Sequence, residues 1–262
     1  MRPYKLFNLI AVFVFLAVAA LVPAQPAAAQ ALTYESCFQV QNLEGGTESA
    51  AITISYYAQG SSTSIDVPDT ILPNRSKTYC PLTAVPDGFN GSVVISSTKK
   101  IAAIANVTGG SPAWSSFDAS YSGFTGGANT VNLPLLMKGN YGYNTWFNVQ
   151  NAGGSDVANI TINYSDGTSR TDSIGINQAK TYDQSSETHS LTVFAGRITS
   201  SQPIVVTVME VGPTMLFGYN GFTTSVQQPV MPLVQANNYG YTSGVQIQNT
   251  GTTSTQVTVT YT

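Results

Sequence analysis

Apolar and polar residues alternate through most of this chain beyond its first thirty positions, and no 3.6-residue helical period appears there. The run Ile160-Thr161-Ile162-Asn163-Tyr164 shows the pattern. A period of two places Ile160, Ile162 and Tyr164 on one face, and Asn159, Thr161 and Asn163 on the other. A slip of one residue would bury three polar side chains, so the register is well determined. The same reading predicts strands at 145–150, 157–164, 169–174, 180–182, 190–198, 203–211 and 215–219. Asp166-Gly167 lies between the second and third of these and suits the tight turn of a hairpin. About seven short strands in about one hundred residues is the pattern of an immunoglobulin-like β-sandwich. The expected fold is all-β, with tandem sandwiches following an N-terminal signal helix.

The pattern repeats. Phe38-Gln39-Val40-Gln41-Asn42 returns as Phe147-Asn148-Val149-Gln150-Asn151 and as Val245-Gln246-Ile247-Gln248-Asn249. Each is followed by an alternating run ending in tyrosine: Ile52 to Tyr56, Ile160 to Tyr164, Val257 to Tyr261. The first two copies lie 109 residues apart and the next two 98, which is the length of a domain and too long for a solenoid turn. Ser76-Lys77-Thr78-Tyr79 matches Ala179-Lys180-Thr181-Tyr182, and Tyr121-Ser122-Gly123-Phe124 matches Tyr219-Asn220-Gly221-Phe222. The domains expected are a signal peptide at 1–30, repeats at 31–137 and 138–235, and the first two strands of a third repeat at 236–262. Leu133 to Met137 and Val230 to Val234 read as apolar exits that run straight into the next repeat. No Gly/Ser-rich spacer intervenes, which predicts limited bending between neighbours. Two strands bury too little to stand alone. The third repeat is therefore expected to be part of a longer product, or else to donate its strands to a neighbouring subunit.

Arg2 and Lys5, an apolar stretch from Leu6 to Val22 and the small-residue run ending near Ala31 form the three parts of a secretory signal peptide. Export to the cell surface or the medium is the expectation, with membrane contact only through the signal segment before cleavage. Cleavage removes two of ten basic residues and none of thirteen acidic ones, leaving a formal charge of −5. Charged residues are 9% of the chain, against roughly 25% in ordinary soluble domains. Nucleic acid is an unsuitable partner, because it needs clustered Lys and Arg and the one basic pair is Lys99-Lys100.

Cys37 and Cys80 make an even pair in an exported chain and read as a disulfide. Their counterparts in the second repeat are Trp146 and Asp183, so the fold does not depend on the bridge.

Little else offers chemistry. Nucleophilic hydrolases need a histidine base, and His189, expected at a solvent edge, is the chain's single histidine. Asp66 with Asp69 and Asp166 with Asp172 are the available carboxylate pairs, both at turns or strand edges that favour Asp for backbone bonding. Asp66 and Asp69 lack the spacing of a calcium loop. No catalytic residue, cofactor or metal is expected. Tyr141, Tyr143, Trp146, Tyr239 and Tyr241 cluster at repeat entrances and are expected to pack repeat against repeat. Trp114, in a Gly/Ser/Pro-rich loop without a counterpart, is the better candidate for a ligand contact. Sequons stand at Asn74, Asn90, Asn106, Asn159 and Asn163, a weak signal in a chain so rich in Asn, Ser and Thr.

Through Phe38-Gln39-Val40-Gln41-Asn42, the Ile-Thr-Ile-x-Tyr strand, Tyr219-Asn220-Gly221-Phe222 and the Leu-Pro-Leu exit, the chain resembles exported proteins of filamentous green, Chloroflexus-type bacteria built from Ig-like repeats. The resemblance covers the chain beyond its signal and implies a cell-surface structural or adhesive role. It transfers no functional residue. The expected partners are other copies, cell-envelope components and glycans. The runner-up is a carbohydrate-binding array accompanying an enzyme.

Overall fold

A computed structural model describes residues 33–110, 117–213 and 215–261. The signal segment and Trp114 lie outside the described residues. Within them the chain is β-strand and irregular structure, with no helix.

The first repeat forms β1 (Thr33–Asn42), β2 (Ala50–Ala58), β3 (Ser64–Ile71), β4 (Ser76–Tyr79), β5 (Gly91–Ser97), β6 (Ile101–Gly110) and β7 (Phe117–Ser122). They make two antiparallel sheets, in the orders β3-β2-β5 and β4-β1-β6-β7. The alternation decides which side chains meet between them. Ile52, Ile54 and Tyr56 of β2 and Phe38 and Val40 of β1 turn inward and are buried. Phe38 stacks on Tyr79 with ring centroids 4.9 Å apart. Cys37 and Cys80 are joined in a disulfide that closes a 43-residue loop.

The second repeat forms β8 (Ala128–Met137), β9 (Asn144–Asn151), β10 (Ala158–Tyr164), β11 (Ser169–Ile174), β12 (Ala179–Asp183), β13 (Val193–Val211) and β14 (Leu216–Asn220). These seven belong to one antiparallel sheet, curled into a half-barrel. The long β13 is responsible. Its first half lies between β10 and β8, and its second half between β9 and β14. The register with β8 shifts between Thr199 and Ile204, where β13 exchanges β10 for β9 as its neighbour. Asn132 and Phe222 exchange backbone hydrogen bonds of 2.8 and 2.9 Å and draw β8 toward the end of β14. Phe147, Leu133, Leu136, Ile162 and Ile198 fill the interior at 0% exposure. Each such side chain stabilises the fold by about 1.5–3 kcal/mol relative to exposure.

The register of β10 agrees with the sequence pattern: Ile160, Ile162 and Tyr164 are buried. Three expectations are corrected. The ranges 190–198 and 203–211 fall in one strand, Val193–Val211, which pairs with β10 up to Ser200 and with β9 from Ile204. Leu133 to Met137 is no exit but the end of β8, whose Leu133 and Leu136 belong to the second repeat's interior. Segments 245–249 and 257–261 repeat the sequences of β9 and β10 yet form no strand. Both β9 and β10 are held by β13, and the described residues of the third repeat contain no counterpart to it.

Candidate functional site

The asparagine that ends each repeat's opening motif is a latch. Asn42 is fully buried, and its Nδ2 lies 3.2 Å from the carbonyls of Glu48 and Ile71 and 3.4 Å from that of Leu72. Its Oδ1 accepts from the Glu44 N–H. Asn151 repeats the arrangement with Asp156, Ile174 and Gly175 carbonyls and the Gly153 N–H. Asn249 keeps the local half of it, to Thr253 and Gly251. An amide can serve donors and acceptors at once, which is why this position takes Asn at the end of an apolar strand.

His189 is not at a solvent edge. Its side chain is 1% exposed, stacked on Phe194 at 4.0 Å and edge-on to Tyr164 at 4.7 Å. Nδ1 lies 3.0 Å from Asp166 Oδ2 and Nε2 lies 3.1 Å from Gln184 Oε1. With both ring nitrogens engaged and only the Thr168 hydroxyl near, at 3.4 Å, the ring fastens the 184–190 loop to the β10–β11 turn. Burial works to raise the Asp166 carboxyl. Hydrogen bonds from the Thr168 hydroxyl and N–H, from His189 and from the Ser190 N–H outweigh it and hold the carboxyl down at about 2.

The carboxylate pairs do not act as pairs. Asp172 lies 2.7 Å from Lys180 Nζ and accepts from Tyr182 Oη at 3.2 Å. Asp69 does the same with Lys77 at 2.7 Å and Tyr79 at 2.9 Å. Burial and the neighbouring carboxylate raise both tyrosines. The spacing Asp-x7-Lys-x-Tyr, present in both repeats, was the available signal; Asp69 and Asp172 are counterparts, whereas sequence reasoning paired each with a residue of its own repeat. Asp66 is exposed, its carboxyl lowered by the Ser64 and then the Ser55 hydroxyl. Among the described residues no three His, Cys, Asp or Glu side chains gather as a metal site.

The two repeats meet at a small apolar joint. Val107 and Ala119 of the first pack with Met209 and Leu216 of the second, flanked by Phe117, Tyr121, Trp146 and Val211. Tyr34 meets Trp146 edge-on at 5.8 Å. Asn220 donates to the Ser122 carbonyl at 2.8 Å, and Asn177 to the Tyr57 hydroxyl at 3.3 Å. Trp146 therefore serves the joint as expected, but Tyr141 does not. Asn140 and Tyr143 close a tight turn with Tyr141 at φ 50° and Gly142 at φ 86°, and the Tyr141 ring is 93% exposed. Asn238 to Tyr241 repeats the turn, and leaves Tyr239 96% exposed and Tyr241 67% exposed. Those rings are directed to solvent by the turn itself.

No family model, no curated protein and no solved structure matches this chain.

Proposed function

We propose that this chain is a non-enzymatic, exported structural or adhesive protein of the cell surface, built from tandem immunoglobulin-like β-sandwiches and acting as a semi-rigid spacer. The observation that carries it is the joint: an apolar cluster with two side-chain hydrogen bonds across it, reached from β7 through only Gly123 to Gly127 before β8 begins. Such a contact restrains neighbouring units, whereas units separated by a flexible linker move freely. The buried and half-buried polar groups support the same reading, because His189, Asp166, Asp69 and Asp172 are each engaged in holding strands and loops together. Spin labels at Thr53→Cys and Asn163→Cys, one in each repeat, test it. A single narrow distance distribution is expected, and a broad one would remove the spacer role. Export is checked by finding the chain outside the cytoplasm without residues 1–30.

A carbohydrate-binding array is the second reading, and the solvent-facing Tyr141 and Tyr239 favour it, since aromatic faces stack on sugar rings. A glycan array separates the two. Saturable binding lost on Tyr141→Ala or Trp114→Ala would replace the structural role with a binding one.

A further inference from the structure

We propose that the outer edge of β5 is a docking site for residues 228–234 of a second molecule of this chain, which would join molecules head to tail. The inference rests on the structural-array reading above and adds the contact that would build an array.

The two repeats differ at one edge. In the second, the first half of β13 has a strand on each side, β10 and β8. In the first, β5 occupies the matching place: Ile52 pairs with Ser97 as Ile160 pairs with Ser200, and Tyr56 with Val93 as Tyr164 with Gly196. Among the described residues β5 pairs with β2 alone. The interior beneath this edge is correspondingly open. Ile198, Ile204 and Val206 are at 0–1% exposure in the second repeat, roofed by β8. Their counterparts Ile95, Ile101 and Ala103 are only partly buried. β12 approaches β5 without pairing with it, and an edge left unpaired among the described residues, above half-covered apolar side chains, is where a further strand adds most readily.

The occupant is identified by repetition. Residues 228–234 stand before the Asn238–Tyr241 turn as β8 stands before the Asn140–Tyr143 turn, and Pro232 falls where β8 has Pro134. The Gln235 N–H bonds the Ser243 hydroxyl at 2.9 Å, as the Met137 N–H bonds the Thr145 hydroxyl at 2.7 Å. Yet residues 228–234 form no strand, and Val230 and Leu233 are 87% and 71% exposed. Carrying over the β8 register sets Met231 against Val93, Val230 against Val94 and Gln228 against Ser96, antiparallel. The flexible Met231 can adapt to Val93 where β8 sets Leu133 against Gly196. Pro229 forgoes one ladder hydrogen bond, which makes this strand weaker than β8 and is tolerated at an edge. Donor segment and acceptor edge are different surfaces, so the contact does not close on itself as a two-fold dimer would, and molecules add in a line.

Ser96 and Gln228 are both exposed and polar, so cysteines there leave the interior intact. Full chains carrying Ser96→Cys and Gln228→Cys are mixed and oxidised. A mixed disulfide dimer is expected at about tenfold the yield of Ser96→Cys mixed with Ser185→Cys. Met231→Asp, which would set a carboxylate against Val93, should lower that yield about tenfold and shift the sedimenting species toward monomer. Equal yields from the two mixtures would overturn the proposal. So would β5 amides already protected from exchange in a monodisperse monomer, because the edge would then be covered within one molecule. Either failure leaves the spin-label test of the spacer role standing.

Discussion

Tyr182 donates its hydroxyl hydrogen to Asp172 across 3.2 Å, and the bond ties β12 to β11, the two ends of the curled sheet's strand order. Lys180 holds the other carboxylate oxygen at 2.7 Å, and Arg170 lies over the Tyr182 ring at 4.8 Å. The first repeat makes the same tie between β3 and β4, where it links two separate sheets. No ladder joins β11 to β12 or β3 to β4, and both repeats place this half-buried polar cluster between them.

Tyr182→Phe should cost about 1.5–2 kcal/mol, the lower part of the range for one hydrogen bond to a charged acceptor. Asp172→Ala should cost more, about 2–3 kcal/mol, because it leaves a tyrosine hydroxyl and a lysine without their acceptor. Urea unfolding of both variants measures this. A loss below about 0.5 kcal/mol for each would mean that water replaces the tie.

The Asn latches allow a comparison inside one molecule. Asn151→Ala strands three carbonyls and one N–H at a buried site and should cost about 3 kcal/mol. Asn249 is not buried and spans only its own turn, so Asn249→Ala should fall within about 0.5 kcal/mol of the parent. Similar losses for the two would show that the cost is local to the turn and not due to the interior.

The strands were legible where a segment carried its own period. In β10, Ile160, Ile162 and Tyr164 left no second register that kept Asn159 and Asn163 wet. The use of β8 was not legible, because Leu133-Pro134-Leu135-Leu136-Met137 has no alternation, and its Pro134 suggests a linker. What makes it a strand is a bare edge of β13 some sixty residues away, a long-range fact absent from the segment. The His189 site failed for a related reason. Thr188 and Ser190 mark a polar loop, but Asp166, Gln184 and Phe194 converge on the ring only after β10, β12 and β13 are in place. The cysteine pair was legible because two cysteines in an exported chain read as a disulfide, and the Trp146 contact because aromatics cluster at the repeat entrances.

The Asp166 carboxyl sets an acid limit. Its folded value of about 2 lies below the ordinary value of 3.8, so its contribution is present above pH 4 and is lost as pH falls from about 4 to 2. Discounted for solvent screening, that contribution is on the order of 1 kcal/mol. Asp166→Asn should flatten the stability profile between pH 4 and pH 2 by about that amount. An unchanged slope would place the acid sensitivity elsewhere.

Glu210 acts in the opposite sense and in a different window. It lies on β13 between Thr145 and Phe217, on the same face as the buried Val208, and is 9% exposed. Burial pushes its carboxyl up to about 7, against an ordinary value of 4.5. A raised folded value means that the fold prefers the protonated acid. Stability from this group is therefore complete below about pH 4.5 and is lost as pH rises through 7. At pH 8 the ionised side chain should cost about 2–3 kcal/mol. Glu210→Gln keeps the shape and removes the ionisation, so it should match the parent at pH 4 and exceed its stability at pH 8. Urea midpoints at the two pH values decide the matter. A parent as stable as the variant at pH 8 would show that the carboxylate reaches water, and that the joint beside it, where Met209 and Val211 lie on the opposite face of the same strand, is insensitive to its charge.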